Sequence, residues 1–339
     1  MSSVNLKQLA QALDLSVSTV SRALNDSYEI SAATKEKVQL LATQLGYQPN
    51  PYASSLRRQQ SKTVGVIIPE VANNFFSLAI NGIEEVARQN GYHVLIYLTH
   101  ENFAQEQTIV QHLANGRVDG ILISVSGETQ DAAHFAKLRE LNLPTVFFDR
   151  VCEQTDTASI TTDDYDSGYR ATHHLLERGC RRIMHLTLAQ HLSIGQKRMQ
   201  GYLDALRDAD VAFDPALLVR GGHGSDHNTA LVQQLLEQDP SIDGIFAAVE
   251  SLAIAGYRAC QATGRRIPAD IKIIGFSNLE MADLLNPSLT TIRQPAYAIG
   301  REAATILFQG LMKNRPILTS QSQELKSELV VRASTGGLG

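Results

Sequence analysis

From about residue 63 onward the chain repeats one pattern, which constrains its fold more than any other feature of the sequence. Short apolar runs, such as residues 64–68 and 120–123, alternate with longer stretches in which apolar residues recur at helical spacing. A short run that is apolar throughout is typical of a strand buried on both faces of a parallel sheet. The alternation therefore predicts an α/β fold built from doubly wound βα units.

The repeats form two series, which predict two lobes, each with its own doubly wound parallel sheet. In the first series we expect strands at residues 64–68, 93–98, 120–123 and 145–148, and helices at 77–90, 105–115 and 132–141. In the second we expect strands at 159–161, 182–188, 217–219, 244–248 and 271–276, and helices at 167–178, 195–208, 229–237 and 252–263. Three late elements, at 289–292, 298–312 and 324–331, could join either lobe.

Residues 1–48 differ in character and predict a small domain of three short helices. The first helix has four apolar residues on one face: Leu6, Leu9, Ala10 and Leu13. Ser16 is placed to cap a second helix that buries Val20 and Leu24. Ser31 is placed to cap a third helix, which ends at Gly46. The apolar face of that third helix has Val38, Leu41, Ala42 and Leu45.

A linker follows this domain. Pro49 and Pro51 interrupt the helical pattern, residues 52–58 have the composition of one or two helical turns begun by a proline, and residues 59–62 are polar. We therefore expect three parts: a helical domain at residues 1–48, a hinge helix and linker at 49–62, and a two-lobe domain at 63–339.

Composition restricts the classes of function. The 339 residues are 43% hydrophobic and 19% charged, and no window approaches the run of about eighteen apolar residues that a membrane span needs. The polar start lacks the pattern of a secretory signal, so we expect a cytoplasmic protein with no membrane partner. The net charge of −5 gives no global attraction to nucleic acid, although residues 1–60 have a small excess of Lys and Arg. Any site for a polyanion must therefore be local.

The sequence has no pattern typical of catalytic, metal or cofactor chemistry. Cys152, Cys180 and Cys260 form no C-x-x-C pair, so we expect reduced core residues. His223 and His227 have i, i+4 spacing but lack the catalytic Glu of a zinc hydrolase. No phosphate-binding loop and no G-x-S-x-G nucleophile motif occurs. We therefore expect no enzymatic activity, no cofactor and no metal.

The predicted second helix has the features of a DNA-recognition helix. In a helix-turn-helix the second helix lies in the major groove, so its first turn must be small enough to approach base edges. Val17 and Ser18 meet that requirement, and Arg22, one turn after Ser18, can bond guanine O6 and N7. Side chains that suit phosphate contacts are Ser16, Ser21 and Asn25. The alternative is a three-helix bundle with a solvated, serine-rich helix.

Later motifs are individually short, but their order and spacing are specific. They are Pro49-Asn50-Pro51, Val66-Ile67-Ile68-Pro69, Asn74-Phe75-Phe76, Gly82-Ile83-Glu84, Asp119-Gly120-Ile121, Asp149-Arg150, Gly275-Phe276 and Leu289-Thr290-Thr291-Ile292-Arg293-Gln294-Pro295. Together with residues 6–10 and 15–25, they closely resemble the LacI/GalR family of bacterial transcription regulators. The resemblance covers essentially the whole chain.

The resemblance implies a sequence-specific DNA-binding regulator, a repressor, with an N-terminal helix-turn-helix and two periplasmic-binding-protein-like lobes. A small metabolite, such as a sugar or sugar derivative, would bind between the lobes and change the affinity for DNA. Members of the family are dimers or tetramers on pseudo-palindromic double-stranded operators. Residues 332–339 are glycine-rich and contain no leucine heptads, so we expect a homodimer rather than a tetramer. The sign of the metabolite's effect stays open.

The resemblance also assigns DNA-binding positions. Val17, Ser18 and Arg22 match base-reading positions of the recognition helix. Leu56 matches a leucine that a hinge helix inserts into the minor groove, where an apolar wedge between base steps kinks the duplex. Further DNA-binding positions are Leu6, Ser16, Thr19, Ser21, Asn25, Asn50, Ala53 and Arg57. Without the resemblance, a surface leucine at this position would instead suggest a contact between this segment and the rest of its own protein.

Effector-binding positions come from the resemblance and from the rule that ligands of open α/β sheets bind beyond the carboxyl ends of the strands. A carboxylate at Asp149 suits the hydroxyl groups of a sugar, and Arg198 matches a ligand-clamping arginine from the other lobe. The other predicted positions are Asn73, Asn74, Phe75, Phe76, Ser124, Val249, Glu250, Ser277 and Gln294. Asp149 and Arg198 could instead belong to an ion pair between the lobes.

Two segments depart from the family pattern. Val249-Glu250 stands where Asn-Asp is usual, and Ser277-Asn278 stands where Asp-Asp is usual. The changes remove an amide and a carboxylate that would read hydroxyl groups, so a typical hexose is less secure as the effector. A smaller sugar, a sugar acid, a non-sugar metabolite, a protein effector or a degenerate pocket stay open.

Two other classes of protein share parts of this pattern. A solute-binding protein of transport has the same two-lobe core, but it would need an export signal and would have no use for residues 1–60. An α/β enzyme would need a nucleophile, base or metal set, and the sequence contains none that we recognise. The regulator is therefore the preferred interpretation.

Overall fold

The computed structural model describes residues 4–47, 60–152, 155–187, 192–222, 224–313 and 315–336. The chain divides into two compact units, residues 1–61 and 62–339. Among the described residues, no helix is both long and apolar enough to cross a membrane.

In the described part of the first unit, three helices pack around a small apolar core. They are α1 (Leu6–Ala12), α2 (Val17–Leu24) and α3 (Ala32–Gln44). Ser16 and Ser31 cap α2 and α3 as the sequence predicts, since each side chain accepts a hydrogen bond from a backbone N–H three residues further on. The core consists of Leu9, Ala10, Val20, Ala23, Val38 and Ala42.

Five leucines that we expected on the apolar faces of these helices are not fully buried: Leu6, Leu13, Leu24, Leu41 and Leu45. Leu24 is half-buried, and its neighbour Ala23 is inaccessible to solvent instead. Leu45 is 42% exposed and is the C-cap of α3. Leu24 and Leu45 lie at the C-terminal ends of their helices.

The first lobe of the second unit is a parallel sheet with an apolar core on each face. Its strands, in spatial order, are β11 (Gln323–Leu325), β5 (Ser159–Thr162), β4 (Thr145–Phe148), β3 (Gly120–Ile123), β1 (Thr63–Ile68) and β2 (His93–Leu98). Its helices are α4 (Asn74–Gln89), α5 (Phe103–Leu113), α6 (Ala136–Glu140) and α11 (Ala296–Lys313). All adjacent strands pair in parallel, which matches the predicted doubly wound class.

The second lobe repeats this architecture. Its strands, in spatial order, are β12 (Glu328–Val330), β10 (Thr290–Arg293), β9 (Lys272–Phe276), β8 (Gly244–Ala247), β6 (Ile183–Thr187) and β7 (Leu218–Arg220). Its helices are α7 (Asp164–Glu177), α8 (Ser193–Asp208), α9 (Ser225–Gln238) and α10 (Glu250–Thr263). The edge strand β12 runs antiparallel to β10, and the other pairs are parallel.

The late elements, which the sequence left unassigned, divide between the lobes. The chain passes to the second lobe after β5, returns after β10 and passes over again after β11.

The prediction placed residues 159–161 in the second series, and this was wrong. They form β5 of the first sheet, because they pair in register with Phe147 and Phe148 of β4.

Asp163 connects the segment that follows β5 to the segment that follows β11. Its Oδ1 accepts hydrogen bonds from Ser167 Oγ and from the backbone N–H of Ser327, both at 2.8 Å. Its Oδ2 accepts a hydrogen bond from Arg170 Nη2 at 2.9 Å. A buried carboxylate with several donors holds the connecting segments at a defined spacing.

The helices expected at 167–178 and 229–237 begin three and four residues earlier, at Asp164 and Ser225, and two further predicted helices differ from those observed by more than two residues. The helix expected at 77–90 begins at Asn74, because Asn73 caps it by accepting a hydrogen bond from the backbone N–H of Phe75 at 2.9 Å. The helix expected at 132–141 is a 3-10 turn (Ala133–Phe135) followed by the short α6. The earlier start of α4 brings Asn73 and Asn74 to the carboxyl end of β1.

Two glycines allow α7 and α8 to pack backbone to backbone. A Cβ on Gly168 would lie 2.4 Å from the carbonyl oxygen of Arg198, and one on Gly201 would lie 2.3 Å from that of Tyr165. Such distances are too short for any side chain, so glycine is required at both positions. The close packing sets the position of Arg198 on α8.

Candidate DNA interface and effector cleft

The N-terminal turn of α2 presents small side chains to solvent. Val17 is 41% exposed, and Ser18 is also exposed. Ser16 Oγ lies 2.8 Å from both Ser18 Oγ and Thr19 Oγ1. These hydroxyl groups already satisfy one another, but in water they can exchange partners at little cost, as contacts to bases and phosphates require.

Arg22 lies one turn further along α2. Its Nη1 is 2.7 Å from Glu29 Oε2, and the two side chains are 59% and 45% exposed. A salt bridge between groups so exposed stabilises the protein by about 0–1 kcal/mol. The pair therefore orients the guanidinium group without preventing it from binding DNA.

The other predicted DNA-binding residues are only partly described. Asn25 caps the C-terminus of α2, with Nδ2 2.7 Å from the carbonyl oxygen of Ser21, and Leu6 begins α1 half-buried. Thr19 and Ser21 are also half-buried. Asn50, Ala53, Leu56 and Arg57 lie outside the described residues, so their roles stay predictions.

A cleft lies between the two lobes at the carboxyl ends of their strands. It is lined by Asn73, Phe75, Phe76, Asp149, Arg150, Ile194, Arg198, Val249, Glu250, Phe276, Ser277, Asn278 and Gln294. The cavity volume is about 30 Å³, which is room for one or two water molecules. Ligand pockets usually measure about 300–1,000 Å³. In this conformation the protein's own side chains fill the cleft, so ligand entry requires the lobes to separate.

Asp149 follows β4 and faces this cleft from the first lobe. Its backbone has a φ of 59°, and only 6% of the residue is exposed. Burial raises the pKa of its carboxyl group, although the nearby Arg150 and Arg198 oppose this shift. Gln294 Nε2 lies 3.5 Å from Asp149 Oδ1 and donates a shorter hydrogen bond, of 2.9 Å, to Thr162 Oγ1.

Arg150 forms its salt bridge with a different carboxylate, that of Glu101. Its Nη1 is 2.8 Å from both carboxylate oxygens of Glu101. Burial alone would lower the pKa of Arg150, but Glu101 and Asp149 raise the value overall. The guanidinium group therefore stays charged and is already neutralised by Glu101.

Arg198 is held entirely within the second lobe. Its Nε and Nη2 both contact Asp164 Oδ1, at 2.8 and 2.7 Å, and its Nη1 donates to the carbonyl oxygen of Ala248 at 2.6 Å. The guanidinium group also lies 3.7 Å from the centre of the Phe276 ring. Burial raises the pKa of Asp164 to about 6, although Arg198 opposes the shift. Arg198 is therefore paired with its own lobe and not with Asp149.

Glu250 makes the contact that joins the two lobes at this point. Its Oε1 accepts a hydrogen bond from Asn74 Nδ2 at 2.8 Å, across the cleft. Its Oε2 accepts one from Ser277 Oγ at 2.6 Å. The two segments that depart from the family pattern thus meet in one hydrogen-bonded group.

The structure brings most of the predicted effector-binding residues together. Those that line the cleft are Asn73, Phe75, Phe76, Asp149, Arg198, Val249, Glu250, Ser277 and Gln294. Asn74 contacts Glu250 without lining the cavity, and Ser124 is buried behind Arg150, whose backbone N–H lies 3.4 Å from Ser124 Oγ. Their roles toward a ligand stay predictions.

Sequence reasoning missed several members of the cleft. Arg150, Phe276 and Asn278 each occur in a motif next to a chosen residue, so adjacency was the available signal. Ile194 had no such signal, and neither had Asp164, which pairs with Arg198 behind the cleft lining, because their positions depend on how α8 and α7 pack. Among the described residues, which leave out His223, no cluster of three or more His, Cys, Asp or Glu could hold a metal ion.

Comparisons with known proteins cover both units. Residues 5–50 match the family model of bacterial regulatory proteins of the lacI family. Residues 61–328 match the model of periplasmic binding proteins and the sugar binding domain of the LacI family.

Two curated relatives match almost end to end. The HTH-type transcriptional repressor CytR of Escherichia coli strain K12 is 32% identical over 334 residues, which cover 98% of this chain and 96% of that protein. The ribose operon repressor of Halalkalibacterium halodurans is 32% identical over 333 residues, covering 98% and 97%. Among solved structures, that of the lac repressor dimer bound to operator and the anti-inducer ONPF is 26% identical, with a TM-score of 0.84, and covers 98% of this chain and 99% of that one.

Proposed function

Because this chain belongs to the LacI family of bacterial regulatory proteins, we propose specific roles for its two units in repression. Its helix-turn-helix binds operator DNA, and its two-lobe unit binds the small molecule that modulates that binding. Val17, Ser18 and Arg22 read bases from the exposed face of α2. The residues that line the cleft bind the effector.

The charges of the cleft are the observation that supports a choice of effector. Both guanidinium groups of the cleft are already neutralised, by the carboxylates of Glu101 and Asp164. Asp149 and Glu250 line the same cleft, and neither forms a salt bridge with a cation among the described residues. The cleft therefore offers hydrogen-bond acceptors and a surplus of negative charge.

A neutral molecule rich in hydroxyl or amino donors suits such a cleft. Carboxylates accept hydrogen bonds and have no proton to donate, so they bind ligands that have hydrogen-bond donors. A sugar acid or a sugar phosphate would add a further negative charge to a buried site, which is strongly unfavourable without a free cation. We infer that the effector is a neutral sugar or a similar polyhydroxyl compound.

Binding of this effector changes DNA affinity through the spacing of the lobes. The closed cleft must open to admit a ligand, and the ligand then stabilises a different separation of the lobes. A coupling free energy of about 1–3 kcal/mol would change operator affinity by about 5- to 150-fold. This function requires no enzymatic step and places the protein with the chromosome in the bacterial cytoplasm.

Selection of genomic fragments by the purified protein tests the proposal. We expect enrichment of a pseudo-palindromic site, and we expect the enrichment to change with a neutral sugar such as D-ribose or D-glucose but not with D-gluconate. D-Ribose is included because one relative is a ribose operon repressor. A response to D-gluconate alone would overturn the choice of effector, and the absence of any enriched site would overturn the assigned DNA-binding function.

Asp149→Asn tests the role of the cleft. The change keeps the size of the side chain but removes the negative charge that accepts two hydroxyl hydrogen bonds. We expect the variant to bind the operator within about twofold of wild type and to lose at least about tenfold of its affinity for the active sugar, measured by calorimetry. Asp226→Asn is a matched control, because Asp226 is exposed in the first turn of α9. Equal affinities of wild type and Asp149→Asn would contradict the assignment.

A further inference from the structure

The carboxylate of Glu250 connects the two lobes. Its Oε1 is bonded at 2.8 Å to Asn74 Nδ2, which belongs to the first residue of α4 in the first lobe. Its Oε2 is bonded at 2.6 Å to Ser277 Oγ, which follows β9 in the second lobe. Each carboxylate oxygen therefore has a donor, and the donor of Oε1 lies in the opposite lobe.

The local structure fixes this carboxylate in place. Glu250 is the first residue of α10, where the positive end of the helix dipole favours an anion. Ser277 Oγ accepts a hydrogen bond from the backbone N–H of Leu279 at 3.0 Å, so its own proton is directed to Glu250. Asn74 is fixed in turn by the capped start of α4. Both ends of the connection are therefore pre-organised.

The connection coincides with closure of the cleft. The bond between Asn74 and Glu250 is partly buried, and the cavity beside it has a volume of about 30 Å³. A hydrogen bond to an ionised group is roughly twice as strong as one between neutral groups. The bond to Asn74 therefore favours the closed arrangement of the lobes before any ligand binds.

We propose that Glu250 is a latch that holds the effector cleft closed in the protein alone. An effector opens the latch by donating its own hydroxyl hydrogen bonds to the carboxylate in place of Asn74. Glu250 then sets the resting separation of the lobes and links ligand binding to a change in that separation. This inference rests on the proposed effector cleft.

Amide hydrogen exchange of the full chain, without any added compound, tests the latch. Glu250→Ala removes the carboxylate and Asn74→Ala removes the donor of the opposite lobe. We expect each change to accelerate exchange at residues 73–77 and 277–279 by roughly tenfold. Glu250→Gln keeps both hydrogen bonds, because its amide oxygen can accept from Asn74 and its amide nitrogen can donate to Ser277, but it loses the charge, so we expect exchange between that of wild type and that of Glu250→Ala.

The double variant Asn74→Ala/Glu250→Ala separates the latch from two independent local effects. Residues that act through one bond give non-additive results, so we expect the double variant to match either single variant within about twofold. Asp226→Ala is the matched control, since it removes a first-turn acid from α9 of the same lobe. We expect no change at either segment in this control.

Three results would overturn the latch: wild-type exchange in Glu250→Ala, exchange in Glu250→Gln as fast as in Glu250→Ala, or multiplied effects in the double variant. If Glu250→Ala does not fold, as judged by circular dichroism, wild-type exchange in Asn74→Ala overturns the latch. The effector proposal is tested separately by the sugar affinity of Asp149→Asn. A working latch in a protein that responds to no sugar would overturn the effector proposal and leave the latch intact.

Discussion

The recognition helix and the effector cleft differ in how their side chains are held. Val17, Ser18 and Arg22 of α2 are exposed, and the salt bridge of Arg22 lies in solvent. In the cleft, Asp149 and Arg198 are almost completely buried. The side chains that we propose to read DNA thus stay available, whereas those of the cleft are already bonded to other groups of the protein.

This difference predicts different consequences for substitution. A solvated side chain contributes little to folding, so its removal should alter function with little change in stability. A buried ion that loses its partner is strongly destabilising. Substitutions in the cleft should therefore affect stability and function together, and substitutions in α2 should affect function alone.

Arg198→Ala should have the largest effect on stability. It leaves Asp164 buried without its cation, so we expect a loss of about 3–5 kcal/mol in the free energy of unfolding. Arg207→Ala, on the same helix but 69% exposed, should lose at most about 0.5 kcal/mol. The chain has no tryptophan, so urea unfolding is best followed by circular dichroism. Equal losses of unfolding free energy in the two variants would contradict the predicted difference between buried and exposed groups.

The second largest effect on stability that we expect is its change with pH. Burial raises the pKa of Asp164 to about 6, so between about pH 4 and pH 6 the folded protein binds a proton that the unfolded chain releases. This contribution to stability is present below about pH 4 and is lost as the pH rises to about 6. Compared with Asp164→Asn, the wild type should lose about 2–3 kcal/mol over this range.

Urea titrations at several pH values measure this difference. The comparison with the non-titrating variant cancels the contributions of carboxyl groups elsewhere in the chain. Parallel curves for the two proteins would contradict the raised pKa of Asp164.

Arg22→Ala should have the smallest effect on stability and a clear effect on specificity. We expect it to abolish preference at one operator position, worth about 1–2 kcal/mol, because a bidentate contact to guanine is lost. The free energy of unfolding should change by no more than about 0.5 kcal/mol. Lys37→Ala, which removes an exposed cation from α3, should weaken binding to all sequences alike. Unchanged base preference in a binding-site selection would contradict the role of Arg22.

The sequence predicted those features that depend on local patterns. The caps at Ser16 and Ser31 and the strands at residues 93–98, 120–123 and 145–148 were predicted correctly, since each has a pattern in a short window. The boundary between the lobes at β5 was not predicted correctly. Strand pairing, and not local composition, decides which sheet a strand joins.

The same limit applied to the cleft. Residues that follow strands, such as Asp149 and Ser277, could be placed at the cleft because the carboxyl ends of parallel strands meet there. The partners of those residues could not be predicted. Asp164 pairs with Arg198 through the packing of α7 on α8, and Asn74 reaches Glu250 through closure of the lobes. Both contacts join residues far apart in the sequence, and no pattern encodes such pairs.

The way the chain passes back and forth between the lobes also determines when each lobe can form during synthesis. One face of the first sheet is covered by α11, which follows almost the whole second lobe in the sequence. At about 5–20 residues per second, the ribosome needs on the order of ten seconds to supply α11 after β5 has emerged. Helix α4 already lies on that face, but the part that α11 covers stays exposed for that time, and contacts of high sequence separation slow the completion of the lobe further. The folding of this protein is therefore coupled to the end of its own translation.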